Sequence, residues 1–550
     1  MNRASSKPFR MSKPYRLIVN DDGGRGYWNW VAPLRAEQYV DAVCGTQVAG
    51  KPVDALFWCG LQNPAGAAQY NTKVGEVRGS RWDRFESARE WSLVTTLRGL
   101  IAQGHDPLAL ICDRCHELEK DAWLSFRFND AHHVYRGVNA TGNSKTSRLY
   151  IDRPDLRMGP DHGWPHGWSD RQWDYLKPEV RDHAVALLTE AYMDYDVDGV
   201  ELDFMRHPYF FPRAGVDEGR EALNALVKRL RALADEAAQK KGRPQGLAVR
   251  VPSHEPACAE VGLDWRKWVG EAWVDVLTAS CFHSAEQEAE LAPFVAGCRD
   301  SGTLVHWCVE SAVGFPNVEY RDTVYYGGAP NGPSTEHYRA MALGAYEQGA
   351  DGLYFFNFHF AFERYGTHPE VAFLHELHDP ELLRRRDQTY LVSRQTHDAH
   401  DAFFACAPPR PLPRTLTPQE PVFTFRFTVG SNLDQAAASG FLRSARLRLC
   451  LKGVTPLDEF TIVWDGDELA GDFEPPVAPG TWQRWSGLHF WVADLAGPGR
   501  APQRGKHECT VRLKVRNPQI EEGIIVDFAE LQVRFWSKPG TSICHEVIEK

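Results

Sequence analysis

From about residue 15 to residue 380 the chain repeats one pattern, a short apolar run followed by a longer amphipathic stretch. Short runs rich in Val, Ile, Leu and aromatic residues suit strands, and amphipathic stretches suit helices, so the alternation predicts repeated β-α units around a parallel sheet. Strands are expected at Tyr15–Asn20, Val53–Cys59, Ala122–Asn129, Gly199–Phe204, Gly246–Val251, Val274–Phe282, Thr303–Val309 and Gly352–Phe358. Helical patterns lie between and after them, for example at Glu90–Gln103, Pro178–Tyr195, Arg220–Gln239 and Glu336–Gln348. Eight such units predict a (β/α)8 TIM barrel. The first strand ends in Asp21-Asp22-Gly23-Gly24, which is not the GxGxxG turn of a dinucleotide fold.

The texture changes near residue 400. A proline-rich stretch, ACAPPRPLPRTLTPQEP, is followed by runs such as VFTFRFTV, ARLRLCLKG and CTVRLKVRN that alternate at period two. The expected organisation is a flexible start (1–14), a barrel (15–400) with a long insertion at about 131–176, a linker (401–420) and a β-sandwich (421–550). Removing the sandwich after about residue 410 is expected to leave a testable barrel.

Composition narrows the function. Lys and Arg number 62 against 73 Asp and Glu, a formal charge of −11, which disfavours nucleic acid as a partner. No stretch approaches the ~18 apolar residues of a membrane span. The opening MNRASSKPFRMSKPY lacks the apolar core of a secretory signal, so a cytoplasmic location is expected. Cys112 and Cys115 form a lone CxxC with no second pair, which reads as structural thiols in a reducing compartment. There is no HxH on the first strand and no HExxH, so neither metal nor cofactor is expected.

In a TIM barrel, chemistry gathers at the C-terminal ends of the strands. The fourth strand reads Gly199-Val200-Glu201-Leu202-Asp203-Phe204. Side chains alternate across a strand, so the apolar set faces the helices and Glu201 and Asp203 face the barrel interior. Two like charges there should drive their pKa values apart. Asp203→Asn is then expected to abolish turnover yet leave stability within about 1 kcal/mol, or raise it. Other strand ends add Asp21, Asp22, Arg127, Asn129, Arg250, Glu255, His306, Glu310 and Asn357. The insertion carries His132, His133, Tyr135, Trp164, His166, Trp168 and Trp173, aromatic plates suited to sugar rings or else filling a small core of their own.

The stretch YLKPEVRDHAVALLTEAYMDYDVDGVELDFMRHP resembles the fourth βα unit of bacterial glycosyl-hydrolase-like TIM barrels. LDWRKWVGEAWVDVLTAS and GADGLYFFNF resemble the sixth- and eighth-strand entries of the same group. More distantly, DGVELDFMRH resembles the fourth strand of the α-amylase clan. There an aspartate matching Asp203 is the nucleophile, a basic pair matches Arg206 and His207, and an arginine stands where this chain has Glu201. The resemblance implies a glycoside hydrolase acting on an oligo- or polysaccharide.

Such chemistry needs two carboxylates across the sugar. Asp203 is one candidate. Glu310 is the preferred partner, being in phase with His306 and Cys308 at the end of its strand, while Glu255 and Glu201 remain alternatives. Asp21, Asp22, Arg127, Asn129, Arg206, His207, Arg250, Glu255, Trp307 and Asn357 are candidates for substrate binding, and the arginines could instead meet a uronic acid. Two other classes stay open: a non-catalytic carbohydrate-binding protein, and a metal-dependent sugar isomerase or hydrolase with His254, Glu201 or Asp203 as ligands. A homo-oligomer is an expectation, because a sandwich appended to a barrel often packs in a dimer.

Overall fold

Eight parallel strands close on themselves in sequence order: β1 (Leu17–Asp21), β2 (Ala55–Leu61), β3 (Asp121–Arg127), β4 (Gly199–Asp203), β5 (Gly246–Pro252), β6 (Val276–Ser280), β7 (Leu304–Val309) and β8 (Gly352–Phe355). Closure is made by β1 against β8, with Leu17 opposite Leu353 and Val19 opposite Phe355. This computed structural model describes residues 14–536 apart from 29–32, 62–66, 86, 133–143, 282–286, 288–289, 311–332, 358–372, 393–402, 408–409 and 475–487. The expected flexible start up to residue 13, together with His133, Tyr135 and His359, lies outside the described residues.

All eight expected strands are present, each shifted by a few residues at most. The helices Ala88–Ala102, Pro178–Asp194, Val216–Lys241 and Thr335–Glu347 fall on the predicted amphipathic stretches. Alternation partitions the strands as the sequence requires. Leu56, Leu124, Val200, Leu202, Val249, Val305 and Leu353 point outward into the helix layer. Ile18, Phe57, Trp123, Ala248, Val276, Cys308 and Tyr354 fill the interior.

The barrel floor is built around one indole. Trp123 stacks on Phe57 with ring centroids 4.7 Å apart. A Cβ at Gly246 would lie 2.1 Å from the Trp123 ring, and one at Gly199 would lie 2.5 Å from it. Two glycines that weaken their strands are therefore the space the indole needs. Burying ~200 Å² of indole contributes about 5 kcal/mol, which outweighs the local cost of ~1 kcal/mol per glycine.

The insertion is fastened to the loop after β4. Tyr175 N donates to Phe210 O at 2.7 Å, and Arg213 N donates to His162 O at 2.8 Å. Trp164 and Trp173 are buried in this seam, while Trp168 is half-buried beside His207. The aromatic residues of the insertion thus mostly fill a core.

The second unit has two sheets. One holds β10 (Arg414–Leu416), β18 (Ile524–Phe535), β12 (Leu442–Lys452), β16 (Leu488–Asp494) and β15 (Asp472–Phe473), with β9 (Gln388–Leu391) also pairing β18. The other holds β11 (Val422–Val429), β17 (Gly505–Val515), β13 (Glu459–Trp464) and β14 (Asp467–Glu468). Phe427 and Val511 of one sheet share a core with Leu447 and Leu531 of the other, as a β-sandwich requires.

Two boundaries differ from expectation. The sandwich sheet already begins with β9, inside the stretch read as barrel, because β9 completes an edge of β18. The proline-rich linker is also packed down: Tyr209 OH donates to Phe403 O at 2.8 Å, and Glu260 accepts from the N–H groups of Ala405 and Cys406. Ala340 from the barrel helix Thr335–Glu347 lies in the sandwich core. Cys112 and Cys115 are buried free thiols, and among the described residues no helix is long and apolar enough to cross a membrane.

Candidate active site

β4 ends with Asp203 and β5 runs beside it in a register that sets Asp203 opposite Arg250. Arg250 Nε donates to Asp203 Oδ1 and Nη2 to Oδ2, both at 2.9 Å. Met205 N adds a third hydrogen bond to Oδ1 at 2.9 Å. Both side chains are fully buried. The remaining nitrogen, Nη1, donates to Ser280 Oγ at 3.0 Å and reaches Glu310 Oε1 at 3.4 Å. Ser280 Oγ and Cys308 Sγ also approach that oxygen, at 3.5 and 3.7 Å. The guanidinium lies over the Phe356 ring, 3.9 Å from its centroid. Burial pushes the Glu310 carboxyl up to about 7 against the opposing pull of Arg250 and Arg206.

One layer deeper, Glu201 accepts from Ser125 Oγ at 2.5 Å and Tyr354 OH at 2.9 Å, both on Oε2. Oε1 has no hydrogen-bond partner among the described residues. Burial and the nearby Asp203 push this carboxyl up to about 7 as well. Arg127, which lies opposite Asp203 in the β3–β4 register, does not bond Glu201 among the described residues.

Arg127 instead anchors the other side of the mouth. It pairs with Asp22, donates from Nη2 to Asn357 Oδ1 at 3.3 Å and reaches Asp130 Oδ2 from Nη1 at 3.5 Å. Asn357 occupies the left-handed region (φ 47°), which asparagine tolerates, and its Nδ2 is buried without a partner among the described residues. Asn20 donates to Phe57 O at 3.1 Å, while its Oδ1 likewise has no partner among the described residues. These two amides offer one donor and one acceptor toward the barrel.

Asp130, His132 and His207 place candidate ligand atoms within 4.8 Å of one another. Their bonding does not suit a cation. His132 Nδ1 lies 2.6 Å from Asp130 Oδ1, and His207 Nδ1 accepts from Ala131 N at 3.1 Å. Arg206 Nη2 lies 2.8 Å from His132 Nε2, and the Arg127 and Arg206 guanidiniums stand 3.5 and 3.8 Å from Asp130 Oδ2. A dication would meet two positive charges there. Burial alone pushes Asp130 up, yet His132, His207 and Arg127 together hold it well below the usual carboxylate range. His254, Glu201 and Asp203, the ligands expected for a metal enzyme, do not form such a group among the described residues.

The structure therefore brings together Asp203, Glu310, Arg250 and Arg206, with Asp22, Arg127, His207 and Asn357 on the adjoining wall. Other candidates fall elsewhere. Trp307 is buried with Val305 and Val309 in the helix layer, because the alternation that turns His306, Cys308 and Glu310 inward turns it outward. Glu255 opens the helix Glu255–Glu260 and pairs with Arg266 at the surface. Asn129 spends its amide on Trp173 O and Tyr209 O, at 3.0 and 2.7 Å, and so ties the insertion to the β4 loop. Asp21 accepts from Gly23 N at 2.7 Å and Gln47 Nε2 at 2.5 Å, which fixes the turn after β1. Ser280, Tyr354 and Phe356 were not among the candidates. Ser280 had a signal, being in phase with Thr278 at the end of β6, but a lone strand-end serine carries little weight.

No family model matches the chain, and no curated protein matches it. Solved structures similar to it include an α-galactosidase from Thermus thermophilus, 16% identical, with 77% of this chain and 66% of that one covered and a TM-score of 0.35. Chitinase ChiW from a Paenibacillus species is 10% identical over 87% of this chain and 52% of its own, with a TM-score of 0.36. A family GH18 chitinase from Chromobacterium violaceum is 10% identical over 96% and 92%, with a TM-score of 0.31. The chain thus spans 66% and 52% of the first two. These likenesses are slight, and the barrel rests on its own strand topology.

Proposed function

We propose that the chain is a glycoside hydrolase in which Glu310 is the acid and Asp203 the nucleophile or the base for water. The observation that carries the reading is the sharing of one guanidinium by two buried carboxyl groups from β4 and β7. Two carboxyl groups on one site, one to give a proton and one to face the anomeric carbon, are what glycosidic cleavage demands. Glu310, pushed up to about 7, keeps a proton to give near neutral pH. Asp203, bound along both oxygens by a cation, supplies the negative charge that an oxocarbenium-like centre calls for.

The substrate is a carbohydrate. Asn357 Nδ2 and Asn20 Oδ1 are a buried donor and acceptor whose hydrogen bonds a sugar hydroxyl can complete. Arg127 and Arg250 are already engaged by carboxylates, which favours a neutral sugar over a uronic acid. Acid–base hydrolysis of this kind needs no cofactor.

The test is hydrolysis of a broad panel of aryl glycosides and polysaccharides, neutral and uronic, by wild type beside Asp203→Asn and Glu310→Gln. Turnover by wild type with loss in both variants is the expected result. Binding without turnover in any of the three would move the chain to the carbohydrate-binding class.

A further inference from the structure

We infer that Arg250 is the positioning residue on which Glu310 gives up its proton: one edge of the guanidinium locks Asp203, and Nη1, with Ser280, is set to receive the carboxylate that Glu310 becomes. The inference rests on reading this site as an acid–base pair, and it assigns Arg250 a part other than substrate binding.

Three residues fix the guanidinium. Its Nε and Nη2 are committed to Asp203 at 2.9 Å each, its Nη1 bonds Ser280 Oγ at 3.0 Å, and its face lies on Phe356. It cannot turn toward Glu310 without giving up Asp203. The contacts to Glu310 Oε1 are accordingly long: 3.4 Å from Nη1, 3.5 Å from Ser280 and 3.7 Å from Cys308. Such lengths suit a neutral carboxyl and shorten when charge develops. The three groups in reach all lie beside Oε1, and among the described residues none reaches Oε2, so the proton is placed on Oε2.

Ser280 adds a second adjustable donor. Its hydroxyl has one proton and more than one acceptor in reach, Cys281 O at 2.9 Å and Glu310 Oε1 at 3.5 Å among them. Rotation about one bond moves that proton onto the glutamate when it ionises.

The titratable and charged groups facing Glu310 are Arg250 from β5, Arg206 and Asp203 from β4 and its loop, Cys308 from β7 and Cys281 after β6. Arg250 is the cation among them in hydrogen-bond reach. In the reaction, the Oε2–H bond breaks and its proton passes to the glycosidic oxygen. The electron pair of the C1–O bond leaves with that oxygen, and the anomeric carbon gains its new bond from an Asp203 carboxylate oxygen or from a water whose proton Asp203 takes. The O–H electron pair stays on Glu310, and its charge falls between Nη1 and Ser280.

The test follows the Glu310 titration by infrared difference spectroscopy of the whole chain, with Glu310→Gln as the blank and no substrate. Asp203→Asn is the background, so that loss of the cation is not confused with repulsion by Asp203. Arg250→Met in that background is expected to make Glu310 at least tenfold weaker as an acid, with Arg250→Lys between the two. Ser280→Ala, which removes no charge, is expected to weaken it about threefold and serves where the methionine variant does not fold. An unmoved midpoint in Ser280→Ala and Arg250→Lys overturns the inference and leaves the glycosidase reading intact. A moved midpoint beside a silent glycoside panel defeats the reading of the reaction and leaves Arg250 in control of the Glu310 proton.

Discussion

Asp203 and Arg250, one residue from each of two adjacent strands, form a two-armed ion pair inside the barrel with both hydrogen bonds at 2.9 Å and neither side chain exposed. The pair comes from register alone, since β4 and β5 align these residues opposite one another with both facing inward. It changes what Asp203 does for stability. From sequence, Asp203 faces Glu201 and repels it. In the folded chain the guanidinium answers that charge.

Asp203→Asn is therefore expected to destabilise the protein by about 3 kcal/mol or more, since removing one partner strands the other in a dry interior. This reverses the expectation from sequence that stability would hold or rise. Thermal unfolding of the variant beside wild type checks it, and an unchanged midpoint would mean that the pair is worth little.

The two glutamates pushed up to about 7 make stability depend on pH. In the unfolded chain they titrate near the ordinary 4.5, so between 4.5 and 7 the folded state holds more protons. Their contribution is whole below pH 4.5 and is lost as pH rises through 7, by on the order of 3 kcal/mol each. His306, held down to about 4 by burial, pulls the total the other way below pH 6.5. The measurement is thus the difference between wild type and Glu201→Gln in denaturant melts from pH 4.5 to 8. The gap should narrow, in the variant's favour, as pH rises.

Trp307 packs among helix-layer side chains and is 2% exposed. Trp307→Ala should cost about 3–5 kcal/mol. Trp307→Phe should fold and leave KM for any glycoside unchanged. A raised KM in the phenylalanine variant would place the indole at the mouth after all.

Gly246→Ala puts a methyl group 2.1 Å from the Trp123 ring and should cost about 1–3 kcal/mol. Trp123→Phe frees that space, so the double variant should lose less than the sum of the single losses. Strict additivity in urea melts would show that the indole does not set the floor.

Cutting the chain after residue 410 removes the partner strand of β9 and uncovers Leu343, which the backbone at Gly430 overlies. Gln287, which bonds Thr389 O at 3.0 Å, would lose a fixed partner. The truncated chain is expected to be insoluble, contrary to the sequence expectation of a testable barrel. A monodisperse barrel in size-exclusion chromatography would show the two units to be separable.

The sequence by itself determined the barrel, the sandwich and the inward face of β4. Those rest on periodicity, and alternation at period two or 3.6 is a local property that burial must satisfy. It also determined that Asp203 and Glu310 sit at strand ends, because the same alternation fixes which way each side chain turns. What periodicity cannot carry is distance between strands. Which cation answers Asp203, whether Glu201 meets Arg127 or Tyr354, and whether Asn129 faces a ligand or a loop depend on register and on the path of long loops. Only the tertiary structure decided those, by bringing groups 47 residues apart within 2.9 Å and answering a buried charge that desolvation would otherwise penalise.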